Sequence, residues 1–260
     1  MQALIERLRP DARITVITGA GVSAASGVPT FRGTDGLWKN FRPETLATAE
    51  AFGRDPKLVW EWYAWRRSRI AACNPNPAHR VLAEWSRRFP NFRLITQNVD
   101  GLHERASAFA RASADKPAGQ AGESEIIRLH GSIWEVSCWE DCAKAPKRWR
   151  DETLSFDEVP PRCPHCGGPI RPGVVWFGET LDPAVVRMAS QAAECDVFIT
   201  IGTSAIVYPA AGFLAAAKQH GAFTAEINPE ATPATSTVDL ALTGGAERIL
   251  PEIDALLPAV

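Results

Sequence analysis

Four cysteines are the residues of this chain whose types and spacing point most directly to chemistry. Cys138 and Cys142 are separated by three residues, Cys163 and Cys166 by two, and the two pairs by twenty. Two short turns at that spacing can gather four thiolates into a tetrahedron around one Zn²⁺, and a shell of four sulfurs leaves no position for water, so the expected site is structural. Gly167 and Gly168 follow the second pair, as suits a knuckle that wraps backbone around a metal. The competing reading is four unrelated buried cysteines. Cys73 and Cys195 stand apart and read as small core residues.

A second pattern lies near the amino end. Gly19, Ala20, Gly21, Val22, Ser23 and Ala24 follow a β-branched run and fit a G-x-G-x-x-G/A turn, whose glycines let backbone N–H groups approach a pyrophosphate while the next helix offers its positive end. Such a turn also occurs as a plain packing feature. The acidic ribose partner expected about 20 residues on has no credible candidate, because the chain enters TFRGTDGLW and Asp35 sits in a turn. An ordinary hydride-transfer dehydrogenase is therefore disfavoured.

The elements that must hold these groups alternate. Apolar runs at Arg13 to Thr18, Phe92 to Thr96, Asp196 to Ile201 and Phe223 to Ile227 read as strands, and Pro77 to Arg88, Pro183 to Ala193 and Ala210 to His220 as helices. That alternation predicts an α/β fold around a parallel sheet. Two stretches interrupt it: a Trp-rich helical segment from about Phe41 to Ala72, and a Cys- and Pro-rich segment from about Glu135 to Arg171. They read as insertions forming a smaller lobe over 41–72 and 135–171, against a large domain of 1–40, 73–134 and 172–260. Residues Ala106 to Glu123 are rich in Ala, Ser and Gly and read as a mobile surface loop.

Bulk properties exclude several classes. The 260 residues are 45% hydrophobic and 22% charged, as in a soluble globular protein, and the net charge is −2. No basic run exceeds Lys147 to Arg150, so the chain makes no strong case for nucleic acid. The start, MQALIERLRP, reads as a turn or two of amphipathic helix without the apolar core of a signal peptide. No stretch approaches the roughly 18 apolar residues that span a bilayer. The six cysteines are then expected as reduced thiols or metal ligands, in a cytoplasmic protein without membrane contact that is expected to be a monomer.

Several motifs together resemble the sirtuin family: GAGVSAASGVPTFRG (Gly19 to Gly33), TQNVDGLH (Thr96 to His103), LHGS (Leu129 to Ser132), the four cysteines, VVWFGE (Val174 to Glu179), GTS (Gly202 to Ser204), and Ile227 with Asn228. They stand in the family's order over about Ile14 to Leu250. The resemblance implies a Rossmann-like domain, a small lobe made of a zinc ribbon and a helical insertion, and a cleft between them for NAD and an acyl-lysine of a protein substrate.

Carried onto this sequence, the resemblance implies that Gly19, Ala20, Gly21, Ser23 and Arg32 hold the pyrophosphate and adjoining ribose, with Phe31 and Trp38 also on the NAD. Gln97, Asn98, Val99 and Asp100 would hold the nicotinamide and its ribose, with Asn98 counted among the catalytic residues. Gly202, Thr203, Ser204, Asn228 and, on a weak motif, Ala246 would hold the adenosine. His130 would be the catalytic base, since an imidazole can take a proton from a ribose hydroxyl. A lone histidine more often has a structural role, and the LHGS context is what singles this one out. In the implied reaction the acyl oxygen attacks the anomeric carbon, nicotinamide leaves, and an alkylamidate forms. The ribose hydroxyl attacks it, giving free lysine and O-acyl-ADP-ribose, so NAD is consumed.

Val175, Trp176, Phe177, Gly178 and Glu179 would lie beside the substrate peptide, which adds as an extended strand, though either ring taken alone fits core burial as well. Tyr63 and Arg66 stand three apart, on one face of a helix. They match the Y-x-x-R motif of the sirtuin subgroup that removes succinyl, malonyl and glutaryl groups. A guanidinium fork and a phenol can together hold a distal carboxylate, and a solvated Arg beside a core Tyr is the alternative. Ala47 or Ala51 is a candidate for the small residue that makes room for a longer acyl chain, while Arg67 and Arg69 read as surface charges. The implied activity is NAD-dependent desuccinylation and demalonylation with some deacetylation. Deacetylation alone, ADP-ribosyl transfer to protein and NAD sensing without turnover are the alternatives.

Overall fold

The computed structural model describes residues 1–30, 42–112 and 126–258. Its strands are β1 (Ile14–Thr18), β2 (Phe92–Thr96), β3 (Ile126–Arg128), β4 (Gly131–Cys138), β5 (Trp149–Arg150), β6 (Ile170–Val174), β7 (Val197–Ile201), β8 (Phe223–Asn228) and β9 (Leu240–Thr243). Six are parallel, in the order β3-β2-β1-β7-β8-β9, and β5-β4-β6 form a separate antiparallel sheet. The large sheet therefore runs outward from β1 in one direction and from β7 in the other. This is the doubly wound Rossmann order, with its switch point between β1 and β7.

Sequence explains why β1 and β7 are central. ITVIT and VFITI are buried at every position, as befits parallel strands covered on both faces, where near-continuous β-branched runs pack best. Register aligns their ends, Thr18 opposite both Thr96 and Ile201, so the loops after β1, β2 and β7 emerge side by side.

The helices are α1 (Gln2–Ile5), α2 (Pro43–Leu46), α3 (Ala49–Arg54), α4 (Pro56–Ala71), α5 (Pro77–Arg88), α6 (Leu102–Ala112), α7 (Pro183–Ala192), α8 (Ala210–Gln219) and α9 (Ala246–Ala255). Three of them start on a polar cap followed by proline: Asp55 accepts from Leu58 N–H, Asn76 from Ala78 N–H and Asp182 from Ala184 N–H. A proline in the first turn wastes no donor, and the carboxylate or amide oxygen satisfies one of the free N–H groups. α5 buries Val81, Leu82 and Trp85 in the main core with Phe92, Ile199, Leu250 and Ile253.

A second core unites α3 and α4 with the ribbon sheet, through Phe52, Trp60, Trp62 and Ile70 against Ile133, Val136, Ile170 and Trp176. Here Arg67 departs from its expected place on the surface. It is fully buried, four residues beyond Tyr63 on the inward stripe of α4. Its Nε donates to Ile133 O at 2.8 Å, and Nη1 donates to Asp151 Oδ1 at 2.7 Å and Thr153 O at 3.0 Å. Two ribbon carbonyls and one carboxylate thus replace water around Nε and Nη1, while Nη2 is buried without a hydrogen-bond partner. Arg69 is exposed, as expected.

The expected loop from Ala106 is also corrected at its start. α6 continues to Ala112, since alanine and arginine favour helix and Asp100 Oδ1 accepts from Leu102 N–H at its head. Residues 113–123 lie outside the described residues.

Arg67→Met should lower the free energy of unfolding by about 3 kcal/mol, because Asp151 and the carbonyls of buried Ile133 and of Thr153 lose their donor together. Urea denaturation followed by tryptophan fluorescence checks this. A loss below about 1 kcal/mol would assign Arg67 the role of an ordinary surface charge.

Candidate functional site

At the switch point the backbones after β1 and β7 touch directly. Gly19 N–H donates to Ile201 O at 3.0 Å and Gly21 N–H to Gly202 O at 2.8 Å. A Cβ on Gly21 would sit 2.8 Å from Gly202 Cα, and Gly202 itself has φ +57°. Only glycines permit this approach, and the left-handed angle at Gly202 adds a second reason for the residue. Beyond Gly19 the chain makes a tight 3₁₀ turn over Ala20–Ser26 in place of a longer helix.

These loops floor a cleft of about 1230 Å³, larger than the 300–1,000 Å³ of usual small-molecule sites. Gly19, Ala20 and Gly21 line it from one half of the sheet, and Gly202, Thr203, Ser204 and Asn228 from the other. Gln97 joins the halves, its Nε2 donating to Thr203 Oγ1 at 2.9 Å. Asn98 and Val99 line the cleft next to it. Phe31, Arg32 and Trp38 lie outside the described residues.

Three expected ligands stand back from this surface. Ser23 and Asp100 are buried, and the Ser23 hydroxyl donates to Asp100 Oδ2 at 2.8 Å. Asn98 Nδ2 donates to Gly19 O at 3.1 Å and to Ser23 Oγ at 3.2 Å. The Asn76 backbone N–H donates to His79 Nδ1, so the neutral ring carries its proton on Nε2, 3.3 Å from Ser23 Oγ. Burial lowers His79 to about 4, which keeps that ring neutral. Burial raises the Asp100 carboxyl, and hydrogen bonds from Leu102 N–H and Ser23 oppose the rise. Ser23 and Asp100 therefore brace Asn98 from behind, with their own polar atoms already satisfied. Ala246 is buried at the head of α9 and does not line the cleft.

His130 occupies the turn between β3 and β4 and lines the cleft. Its Nδ1 is 3.0 Å from Gln97 O. A carbonyl only accepts, so Nδ1 carries the proton and Nε2 keeps its lone pair. Burial pushes the imidazole below its ordinary value, and the Gln97 carbonyl opposes this. A neutral base at physiological pH results.

Tyr63, Arg66, Trp62 and Ala47 also line the cleft, with the segment Val174 to Glu179. Ala51 is buried elsewhere in the second core, so Ala47 is the small residue at the cleft. The segment is tied down on both sides. Val175 N–H donates to His130 O and Phe177 N–H to Ala47 O, each at 2.9 Å. Gly178, with φ +84°, closes a turn in which Glu179 N–H donates to Trp176 O at 3.1 Å. Trp176 is buried while Phe177 is 44% exposed, so the two rings divide into a wall and a rim.

Trp176 Nε1 donates to the Tyr63 hydroxyl at 2.9 Å. Arg66 Cζ stands 4.9 Å from the Trp62 ring centroid and 5.6 Å from that of Tyr63. Burial raises the Tyr63 phenol above its usual range and keeps it protonated. It also lowers the Arg66 guanidinium from a value so high that the group stays charged. A desolvated cation beside a protonated phenol has the chemistry to receive an anionic group.

β4 starts directly after His130 and ends at Cys138. Cys138, Cys142, Cys163 and Cys166 hold their Sγ atoms within 4.8 Å of one another, with Cys138–Cys166 at 3.6 Å and Cys142–Cys163 at 4.0 Å. A regular ZnS₄ tetrahedron with bonds near 2.3 Å has edges of about 3.8 Å, so the donor set fits Zn²⁺. It is the only such group of metal-binding side chains among the described residues.

Sequence reasoning missed part of the cleft: Trp62 and the loop Ile206 to Pro209 also line it. Tyr208 is 78% exposed there. A large aromatic in a loop between a strand and a helix was the available signal.

A model of the Sir2 family matches residues 19–209. The chain is 50% identical over 228 residues to an NAD-dependent protein deacylase of Aquifex aeolicus, covering 87% of each. It is 44% identical over 259 residues to NAD-dependent protein deacylase 1 of Pseudomonas aeruginosa, covering 97% of each. Among solved structures, a Sir2 homolog in complex with NAD superposes with a TM-score of 0.82 at 42% identity, over 97% of this chain and 92% of that one. A mutant Sir2 homologue in complex with ADP-ribose gives 0.84 at 41% identity, over 97% and 94%.

Titrating the purified protein's thiols with a mercurial should release about one zinc per chain, read with a metallochromic dye. Release near zero from fully folded protein would overturn the structural-zinc assignment.

Proposed function

The chain belongs to the Sir2 family and is an NAD-dependent protein deacylase, and from that premise we propose that it acts chiefly on succinyl- and malonyl-lysine, with some deacetylase activity. The single observation that carries this preference is the buried Tyr63–Arg66 pair lining the cleft. An acetyl group offers a desolvated guanidinium nothing, whereas a distal carboxylate can take two N–H bonds from Arg66 and one O–H bond from Tyr63. Ala47 leaves space for the longer acyl chain.

The same reading assigns the remaining roles around the cleft. Gly19, Ala20 and Gly21 present backbone close enough to receive a pyrophosphate. Gly202, Thr203, Ser204 and Asn228 receive the adenosine half, and Gln97, Asn98 and Val99 the nicotinamide and its ribose. Loss of nicotinamide follows attack of the acyl oxygen on the anomeric carbon. Asn98 is held for this by Ser23 and the Gly19 carbonyl. His130 Nε2 then takes the proton of a ribose hydroxyl as that oxygen attacks the acyl carbon; the nitrogen is protonated and lysine leaves as the free amine, and water adds to the cyclic acyl cation left behind and opens it to O-acyl-ADP-ribose. Four cysteine ligands bound as thiolates suit a reducing compartment, which supports a cytoplasmic location. No helix among the described residues is long and apolar enough to cross a membrane.

Two outcomes test these assignments. Arg66→Met should lower kcat/KM on a succinyl-lysine peptide about ten- to a hundredfold, the worth of one charge-assisted hydrogen bond, while the matched acetyl peptide loses far less. Equal losses on both would remove the basis of the preference. Because His130 must be neutral and burial lowers its pKa, kcat/KM should rise with pH through a value below the ordinary 6.5 of imidazole and then level off. A fall across that range, or full activity in His130→Ala, contradicts the role of the base.

A further inference from the structure

Trp176 lines the cleft but is gripped by a residue that does not. Arg171, on β6 of the ribbon sheet, does not line the cleft. Its guanidinium carbon lies 3.6 Å from the centroid of the Trp176 ring, closer than any other cation over an aromatic ring among the described residues. Nη2 donates to Val174 O at 3.0 Å and to Glu179 Oε2 at 2.9 Å, and Nη1 donates to Glu179 Oε1. Glu179 Oε2 also accepts from the Trp176 backbone N–H at 2.8 Å. Stacking and a bidentate pair hold a planar guanidinium in one orientation, which a lysine ammonium cannot reproduce.

Phe52 supports the same indole, 5.5 Å between ring centroids. Held in this way, the indole points its one donor, Nε1–H, at the Tyr63 oxygen. A phenol oxygen that accepts from the indole has its own proton turned away from it. We propose that Arg171 is a positioning residue for acyl selection: together with Glu179 it locks Trp176, and through the indole N–H it sets where Tyr63 aims its phenolic proton. Glu179, expected beside the substrate, has both carboxylate oxygens engaged in this clamp. The inference rests on the reading of Tyr63 and Arg66 as the acid-group binder.

The test is a double-mutant cycle on the full zinc-loaded protein, with wild type, Arg171→Met, Tyr63→Phe and the double variant. Each is assayed with NAD on matched succinyl- and acetyl-lysine peptides, and zinc content and melting temperature are recorded. Arg171→Met should lower the succinyl-to-acetyl ratio of kcat/KM about tenfold, mostly through KM for the succinyl peptide. In the Tyr63→Phe background it should lower the ratio no further. Arg171→Lys, which keeps the charge beside Glu179 and loses the stack, should fall between wild type and Arg171→Met, and it serves if the methionine variant does not fold.

Equal losses on both peptides would reduce Arg171 to a structural residue and overturn the proposal. So would ratio losses that multiply in the double variant. A wild type that prefers succinyl and keeps its preference in Arg171→Met and Arg171→Lys sinks the positioning role alone. A wild type that prefers acetyl sinks the acidic-acyl reading, and this proposal with it.

Discussion

The contact on which the rest of the structure depends is made without side chains. Gly19 and Gly21 hydrogen-bond to Ile201 O and Gly202 O across the switch point of the sheet, at a distance that any Cβ would forbid. Because β1 and β7 are in register and their loops are locked together, the two halves of the sheet deliver backbone groups to one place. A dinucleotide has two halves to hold, and the doubly wound sheet offers one crevice between two such half-sites. Gln97, bonded to Thr203, closes the floor between them.

The ribbon is joined to this floor by β4 and by β6, whose exit runs beside His130. β4 leaves His130, receives Arg67 through the carbonyl of Ile133, and ends on the first metal ligand, Cys138. Trp134 on the same strand donates from its indole to Asp100 O at 2.7 Å, and Ile133 N–H donates to Val99 O at 2.9 Å. The loop that bears Asn98 is thereby hydrogen-bonded to the strand that the metal site terminates. A zinc ion held by Cys138, Cys142, Cys163 and Cys166 would serve the site by fixing this strand, a role that a closed four-sulfur shell suits.

What the sequence revealed, and what it hid, follows the range of the interactions concerned. The central strands were legible because burial on both faces leaves a local mark, a continuous β-branched run. β3 and β9 were not, at three and four residues, too short for any pattern. The cysteines were legible because metal geometry constrains spacing. Arg67 was misread because its burial depends on acceptors 66 and more residues away. Ser23 and Asp100 stand behind Asn98, and whether a polar side chain faces a ligand or braces its neighbour depends on what stands behind it, here His79 and Leu102. Tyr63 and Arg66 were visible as an i, i+3 pair. The indole that aims Tyr63 is 113 residues distant and left no trace in the local pattern.

We propose that acyl transfer is coupled to NAD cleavage in a cleft that also receives the distal carboxylate of the acyl group. Mass spectrometry of the products from a succinyl-lysine peptide and NAD measures this most directly. The account predicts one nicotinamide and one succinyl ester of ADP-ribose for each lysine freed. Free succinate with NAD left intact, or ADP-ribose attached to the peptide, would contradict it.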